Sequence, residues 1–166
     1  MTQCGDATDA IDTPALVIDL DAMQHNLQRM AAFARDRNLR LRPHAKMHKS
    51  AVIAKLQIEA GAVGICVQKV EEAEALAAGG VHDIFISNEV IAPHKLARLA
   101  ALAKRIRIAV AVDSRLGVQR LAQALQSAGA SADCFVEVDV GQGRCGVAPA
   151  TAGALALQVA AAGLHF

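Results

Sequence analysis

The chain has 166 residues, of which 54% are hydrophobic and 20% are charged, and its formal net charge is +1. This apolar content excludes an intrinsically disordered protein, and the near-neutral charge argues against a dedicated nucleic-acid-binding protein, which usually carries a basic face. The length predicts about one domain with a sizeable core.

The first 38 residues divide into three predicted parts. Residues 1–12 are polar and aperiodic and predict a disordered tail. Thr13-Pro14 begins the ordered chain, because a residue before proline favours extended geometry, and residues 15–20 are typical of a strand. Asp21 is the predicted N-cap of a helix with one apolar face. That face carries Met23, Leu27, Met30, Ala31 and Ala34.

From residue 39 onward, a unit of one strand and one helix recurs. Five short β-type runs begin near Leu39, Val63, Asp83, Arg107 and Asp133. Segments with helical periodicity follow them, at residues 49–60, 69–78, 93–104, 114–128 and 149–162. Strands that alternate with helices of this length predict βα units and a parallel sheet, so the predicted fold class is α/β.

Polar side chains follow these strands at their carboxyl ends, where ligands gather both in closed barrels and in open parallel sheets. These residues are His44, Lys46, His48, Gln68, Ser87, Asn88, Glu89, Asp113, Asp139, Gln142 and Arg144. A complete eight-unit barrel needs about 250 residues, and we expect a sixth strand to begin near His165. The sequence therefore predicts either a small open sheet or part of a larger barrel.

Residues 42–50 form the densest cluster of chemically active side chains. A lysine such as Lys46, at the mouth of a buried strand, is expected to be desolvated, and a neutral amine can form a Schiff base with a carbonyl compound. The alternative is a solvated basic turn. His44 and His48 have a spacing that binds zinc when both lie on one helix. Because a strand-to-loop transition intervenes, we expect no metal site at this pair.

Residues 141–146 match the pattern G-x-G-x-x-G of a dinucleotide-binding turn. No Asp or Glu follows Asp139, so the acidic ribose partner is missing and a nucleotide-binding domain is disfavoured. The turn presents Arg144, whose guanidinium suits an oxyanion or a carboxylate, although a tight turn with a solvated arginine is the alternative. We expect Cys66 and Cys134 to be inert core thiols. Cys145 lies in the polar loop and could be reactive, but the sequence identifies no partner base for it.

Several motifs in order resemble the D-threonine aldolase and D-serine dehydratase-like family, which consists of pyridoxal-phosphate enzymes with the alanine-racemase fold. The motifs are TP at 13–14, VIDLD at 17–21, RPHAKMHKS at 42–50, GICVQKV at 64–70, EAE at 72–74, SNEV at 87–90 and EVDVGQGRCGV at 137–147. The methionine at position 47 and the N-E-V at 88–90 are most similar to 3-hydroxy-D-aspartate aldolases. The resemblance extends from Thr13 to Phe166.

The resemblance implies a partial (β/α)8 TIM-type barrel of the alanine-racemase type, with about five βα units. Residues 39–166 would form an incomplete barrel that binds pyridoxal 5′-phosphate, and residues 13–38 would flank it as a strand and a helix. The resemblance further implies that Lys46 forms the Schiff base with the cofactor and that Arg144 holds its phenolic oxygen or nearby negative charge. Gln68 and His44 would line the same pocket.

The activity implied by the resemblance is a retro-aldol cleavage of D-3-hydroxy amino acids. 3-Hydroxy-D-aspartate would give glycine and glyoxylate, and D-threonine would give glycine and acetaldehyde. His48 or Lys49 would bind the second carboxylate of 3-hydroxyaspartate. Two alternatives stay open: dehydration of D-serine by the same cofactor, and a non-catalytic, truncated α/β module.

The resemblance also implies a divalent metal (Mg or Mn) that activates the hydroxyl, held by a His/Asp pair in a C-terminal β-domain, and we expect none of these ligands among the 166 residues. If the chain ends at Phe166, we expect a pocket without its phosphate-binding strands, an unpaired sheet edge and poor activity. The remaining expected partners are a small-molecule D-amino acid and a second copy in a homodimer.

The sequence predicts neither a secretory signal nor a membrane span. The longest apolar run, residues 148–164, is interrupted by Gln158 and consists mainly of Ala and Gly, so it is too short and too weakly apolar. The four cysteines have no C-x-x-C spacing, which predicts reduced thiols and a cytoplasmic location.

Overall fold

The computed structural model describes residues 5–166, and six α-helices and four β-strands follow one another in that part of the chain. The helices are α1 (Leu20–Asp36), α2 (Ala51–Glu59), α3 (Val70–Ala78), α4 (Pro93–Ala103), α5 (Arg115–Ala128) and α6 (Pro149–Ala161). The strands are β1 (Ile65–Val67), β2 (Asp83–Glu89), β3 (Arg107–Val112) and β4 (Asp133–Val136). No helix in residues 5–166 has the length and apolar character that crossing a bilayer requires.

The four strands form one parallel sheet in the order β1-β2-β3-β4. Each strand is followed by a helix. The helix returns the chain to the amino-terminal end of the strands, so that the next strand runs parallel to the previous one. Sequential order of this kind is that of a barrel wall, because every new strand is added beside the previous one. The predicted α/β class and the partial barrel are confirmed.

The predicted strand near Leu39 is reduced to a short pairing with β1. The amide of Ala45 donates to the carbonyl of Cys66 at 2.8 Å, and the amide of Cys66 donates to the carbonyl of Pro43 at 2.7 Å. Because Pro43 has no N–H, the ladder cannot continue through it, and only the bridge between His44 and Cys66 forms. Four of the five predicted strands are therefore present as strands.

At the other edge of the sheet, the chain returns beside β4 as predicted. Asp133 and His165 form a parallel bridge, and the amide of Cys134 donates to the carbonyl of His165 at 2.7 Å. The last described residues therefore occupy the position expected for a sixth strand.

The N-terminal segment differs from its prediction. Residues 15–19 have no regular structure, α1 begins at Leu20, and Leu16 is fully exposed. A strand needs a neighbour for its N–H and C=O groups, and an alternation of apolar residues does not reveal whether one exists. The N-cap of α1 is Asp19 instead of Asp21, because a carboxylate oxygen of Asp19 accepts from the amide of Ala22 at 2.9 Å.

The predicted tail contains a single turn of 3₁₀-helix at Thr8–Ala10. Residues 1–4 of the tail lie outside the described residues.

The two faces of the sheet have different roles, because successive side chains of a strand point to opposite faces. One face packs against the helices and carries fully buried residues such as Ile65, Ile84 and Ile108, which are in register across β1, β2 and β3. The other face carries Phe85 and Phe135. That second face lines a cavity at the carboxyl ends of the strands.

Candidate active site

A cavity of about 350 Å³ opens at the carboxyl ends of the strands. Lys46, Arg144, Gln68 and His44 all line it, although they come from four places in the chain. Parallel strands place their carboxyl ends at one edge of the sheet, which brings together side chains that are distant in sequence. The structure therefore brings these four predicted site residues into one cavity.

Lys46 lies in a tight turn that leads from the short pairing with β1 into α2. Its neighbour Ala45 is buried and anchors the turn, and the amide of Lys49 donates to the carbonyl of Ala45 at 2.7 Å. The Lys46 side chain itself is exposed. This differs from the desolvated position that the sequence predicted, because the four-stranded sheet is open and water reaches its cavity face.

His44 is fixed on both sides of its ring. Its Nδ1 accepts from the amide of Lys46 at 3.3 Å, and its Nε2 lies 3.4 Å from the hydroxyl of Ser87. Burial lowers the pKa of His44, and the positive charge of Lys46 lowers it further. The imidazole is therefore neutral at pH 7.

The glycine-rich turn that carries Arg144 is held by carboxylates. The amides of Gly141 and Gly143 donate to one oxygen of Asp139, at 2.9 and 3.0 Å, and these bonds lower the pKa of Asp139. The amide of Gly146 donates to Asp113 at 3.3 Å. Because these amides are already paired, the turn presents the Arg144 guanidinium instead of a set of free N–H groups for a dinucleotide.

Gly146 is needed for the shape of this turn. Its φ is +99°, and a Cβ at this position would lie 2.6 Å from the backbone nitrogen of Asp139. An L side chain is strained at this φ and would collide with backbone atoms. The path of the chain after Arg144 therefore requires glycine.

Two carboxyl groups and a thiol lie beside this turn. One ligand atom from each of Glu89, Glu137 and Cys145 lies within 4.8 Å of the other two, and the Cys145 thiol donates to Glu137 at 2.9 Å. Burial, with Glu137 nearby, raises the pKa of Glu89 to about 7, and the hydrogen bond from Glu89 lowers the pKa of Glu137. The two carboxyl groups therefore share one proton below about pH 7.

This cluster also changes the expectation for Cys145, for which the sequence offered no partner. The hydrogen bond to Glu137 raises the pKa of the thiol, so the neighbouring carboxylate makes Cys145 less reactive. Hydrogen bonding to the Cys145 thiol is also the largest cause that raises the pKa of Arg144. The sequence analysis did not give Glu137 a role, since it is part of the β-type run that begins at Asp133.

The cavity also has an aromatic wall that the sequence analysis did not identify. The ring centroids of Phe85 and Phe135 are 4.9 Å apart, with a tilt of 52° between the rings. Phe135 is 53% exposed, although strands of parallel sheets usually bury the side chains of both faces. Strand register decides which face a phenylalanine occupies, so composition alone could not have revealed this wall.

His48 and Lys49, the predicted substrate-binding residues, lie elsewhere. His48 lines an apolar groove between α1 and α2, where its Nδ1 accepts from the amide of Ser50 at 3.1 Å. The amine of Lys49 lies 3.8 Å from Glu72, in a separate cleft beside α3. The chain turns sharply after Lys46, so these two side chains do not reach its cavity.

A family model described as the alanine racemase N-terminal domain matches residues 18–166. The chain belongs to this family. This match covers the whole sheet and every residue that lines the cavity, so the resemblance found in the sequence is confirmed.

Two curated relatives and one solved structure are similar to this chain over most of its length. The chain is 51% identical over 145 residues to a D-threonine aldolase from Arthrobacter sp., and 46% identical over 139 residues to a 3-hydroxy-D-aspartate aldolase from Paracoccus denitrificans. These alignments cover 87% and 82% of this chain. The chain spans 38% and 36% of the lengths of these two relatives.

The crystal structure of a D-threonine aldolase from Filomicrobium marinum has the same architecture. It superposes with a TM-score of 0.92 at 49% sequence identity. The match covers 94% of this chain and 43% of the other.

Proposed function

We propose that this chain is the N-terminal part of a pyridoxal-phosphate-dependent lyase that cleaves D-3-hydroxy amino acids between Cα and Cβ. The observation that carries the proposal is the convergence of Lys46 and Arg144 on one cavity. The two curated relatives are a D-threonine aldolase and a 3-hydroxy-D-aspartate aldolase, and their activities support the substrate class.

The residues of the cavity fit pyridoxal phosphate in their chemistry. An exposed amine, Lys46, can react with an aldehyde, and Arg144 can pair with an anionic oxygen. Phe85 and Phe135 provide apolar faces against which a planar ring can lie. When bound, the cofactor supplies an electron sink for cleavage at Cα.

The chain's own residues would bind, orient and hold protons around this group. Lys46 would hold the cofactor through its amine, and the Arg144 cation would stabilise negative charge beside it. Below about pH 7, Glu89 keeps its proton beside the ionised Glu137, so the carboxyl pair carries one negative charge near Arg144. His44, neutral and bonded at both nitrogens, orients the turn that carries Lys46.

The proposed reaction converts a D-3-hydroxy amino acid into glycine and an aldehyde. The β-hydroxyl loses its proton to a base, the Cα–Cβ bond breaks, and Cα of the product takes up a proton. 3-Hydroxy-D-aspartate would give glyoxylate, and D-threonine would give acetaldehyde. A divalent metal that activates the hydroxyl remains part of the proposal, and we assign it no ligand among residues 5–166.

Covalent labelling of the chain with pyridoxal 5′-phosphate tests this proposal. The protein is incubated with the cofactor, reduced with borohydride and digested, and the modified lysine is identified by mass spectrometry. We expect Lys46 to be modified about tenfold faster than other exposed lysines, because the cavity orients the aldehyde beside its amine. The Lys46→Ala variant should lose this fast labelling.

Lys49→Ala is the matched control, since Lys49 is exposed, lies three residues away and faces a different cleft. Its labelling at position 46 should stay within about twofold of the wild-type protein. Equal modification of Lys46 and Lys49 in the wild-type chain would contradict the proposal. The reaction type is tested with 3-hydroxy-D-aspartate and D-serine, because cleavage yields glyoxylate and dehydration of D-serine yields pyruvate.

The same proposal includes expectations about the division of the chain, its macromolecular partner and its location. Residues 39–166 form the part that binds the cofactor, and residues 13–38 flank it. A second copy of the chain in a homodimer is the expected macromolecular partner. The three cysteines described by the structure, Cys66, Cys134 and Cys145, are free thiols, which supports a cytoplasmic location.

A further inference from the structure

Ser87 lies in β2, and its hydroxyl links β1 to the turn that carries Lys46. Its oxygen lies 3.4 Å from Nε2 of His44 and 3.3 Å from the carbonyl oxygen of Val67. The thiol of Cys66 donates to the same oxygen at 3.2 Å. Ser87 is thus the centre of a small polar network on the cavity face of the sheet.

The donors and acceptors of this network can be assigned by elimination. Because Nδ1 of His44 accepts from the Lys46 amide, the proton of the neutral ring lies on Nε2. The Val67 carbonyl can only accept, so the Ser87 hydroxyl donates to it. The two lone pairs of the Ser87 oxygen then accept from Nε2–H of His44 and from the thiol of Cys66. The three contacts of the Ser87 oxygen are therefore compatible with one another.

We propose that Ser87 is a positioning residue that fixes the ring of His44, which in turn fixes the backbone turn that presents Lys46. Without Ser87, the ring would be free to rotate or to exchange its tautomer, and the Lys46 amide would lose its acceptor. The importance of this arrangement for catalysis rests on the proposed function of Lys46.

The charges around His44 are compatible with this assignment. Lys46 in the same turn disfavours a second proton on the ring, while hydrogen bonding to Gln68 and the charge of Glu72 in α3 raise the pKa of His44 in the opposite direction. Burial is the largest cause of the lowered pKa of His44. The surroundings therefore favour the neutral ring at pH 7, and the amide of Lys46 favours the tautomer with the proton on Nε2.

The test combines a spectroscopic readout with the labelling of Lys46. Two-bond ¹H–¹⁵N correlation spectra at pH 7.5 report which ring nitrogen of each histidine carries the proton, and the spectrum of His44→Asn identifies the His44 signals. We expect the wild-type chain to show His44 as a single Nε2–H tautomer. Ser87→Ala should show a mixture of tautomers and about fivefold slower labelling of Lys46, the effect expected from one lost neutral hydrogen bond.

Two variants serve as controls. Ser87→Thr retains the hydroxyl and should restore both the Nε2–H tautomer and the labelling rate to within about twofold. Ser131→Ala removes an exposed serine hydroxyl far from the network and should change neither readout. Circular dichroism of each variant shows that the fold is kept.

The outcomes separate the two proposals. A wild-type chain in which Lys46 is not labelled preferentially overturns the proposed function, whatever the spectra of His44 show. Preferential labelling with an unchanged His44 tautomer and an unchanged rate in Ser87→Ala overturns the role of Ser87 alone. A loss that Ser87→Thr does not restore also contradicts that role, because it would reflect packing instead of the hydroxyl.

Discussion

Lys46 and Lys49 show that position in the fold, and not residue type, decides what an exposed lysine can do. Both are exposed and both belong to the same basic segment. The turn that follows the pairing of Ala45 with β1 directs Lys46 to the aromatic cavity and Lys49 to Glu72. Lys49 lies beside a carboxylate that can pair with its charge, whereas Lys46 forms no salt bridge with any carboxylate of residues 5–166.

The shared proton of Glu89 and Glu137 predicts a pH-dependent effect on stability. The pKa of Glu89 is raised in the folded chain from 4.5 to about 7. Its contribution to stability is therefore fully present below pH 4.5 and is lost as the pH rises through 7. A glutamine at position 89 cannot ionise and can still donate to Glu137. When the pH is raised from 5 to 8.5, the free energy of unfolding of Glu89→Gln should therefore increase by about 1 kcal/mol relative to that of the wild-type chain.

Urea unfolding at the two pH values measures this difference. Glu59→Gln is the matched control, because it removes a carboxylate from the exposed side of α2. A stability difference between Glu89→Gln and wild type that does not change with pH would show that Glu89 is already ionised in the folded chain at pH 5.

Among the elements, the helices were predicted more accurately from the sequence than the strands. The predicted helices at 93–104 and 114–128 correspond to Pro93–Ala103 and Arg115–Ala128. Proline at the first turn of α4 and the serine N-cap of α5 act within a few residues, so local sequence carries the information. Strands depend on partners elsewhere in the chain, which explains why the pairing near Pro43 and the segment at 15–20 were predicted less well.

The packing of α4 against the sheet predicts a large difference between two leucines. Leu99 in α4 is completely buried, whereas Leu157 in α6 is 74% exposed. Leu99→Ala should lower the free energy of unfolding by about 2–5 kcal/mol, because it removes buried methyl groups and leaves a cavity. Leu157→Ala should change it by less than about 0.5 kcal/mol.

Thermal and urea unfolding of both variants check this prediction. Equal losses for the two leucines would mean that the exposed face of α6 is covered in solution by something outside the described chain.

At the scale of the whole molecule, α1 is attached more weakly than the sheet. Ala34 is the one residue of α1 that is buried, whereas five of the six residues of β3 are buried. Local opening costs little free energy where few apolar contacts must be broken. Amides of α1 should therefore exchange with deuterium at least about tenfold faster than amides of β3.

Hydrogen exchange measured by mass spectrometry on peptides from the two elements tests this difference. The C-terminal half of α5, with Leu121 and Leu125 buried, is a helical control that should be protected like β3. Protection of α1 equal to that of α5 would show that its apolar face is packed in solution.

The sequence by itself determined the α/β class, the order of the elements and the family, since helical period, strand spacing and the motif around Lys46 are properties of neighbouring residues. It also placed Lys46, Arg144, Gln68 and His44 at the carboxyl ends of strands. Only the tertiary structure decided the contact between His44 and Ser87, the proton shared by Glu89 and Glu137, and the separation of His48 and Lys49 from the cavity. Each of these depends on strand register or on the direction of one turn, and a shift of a single residue would reverse the face on which a side chain lies.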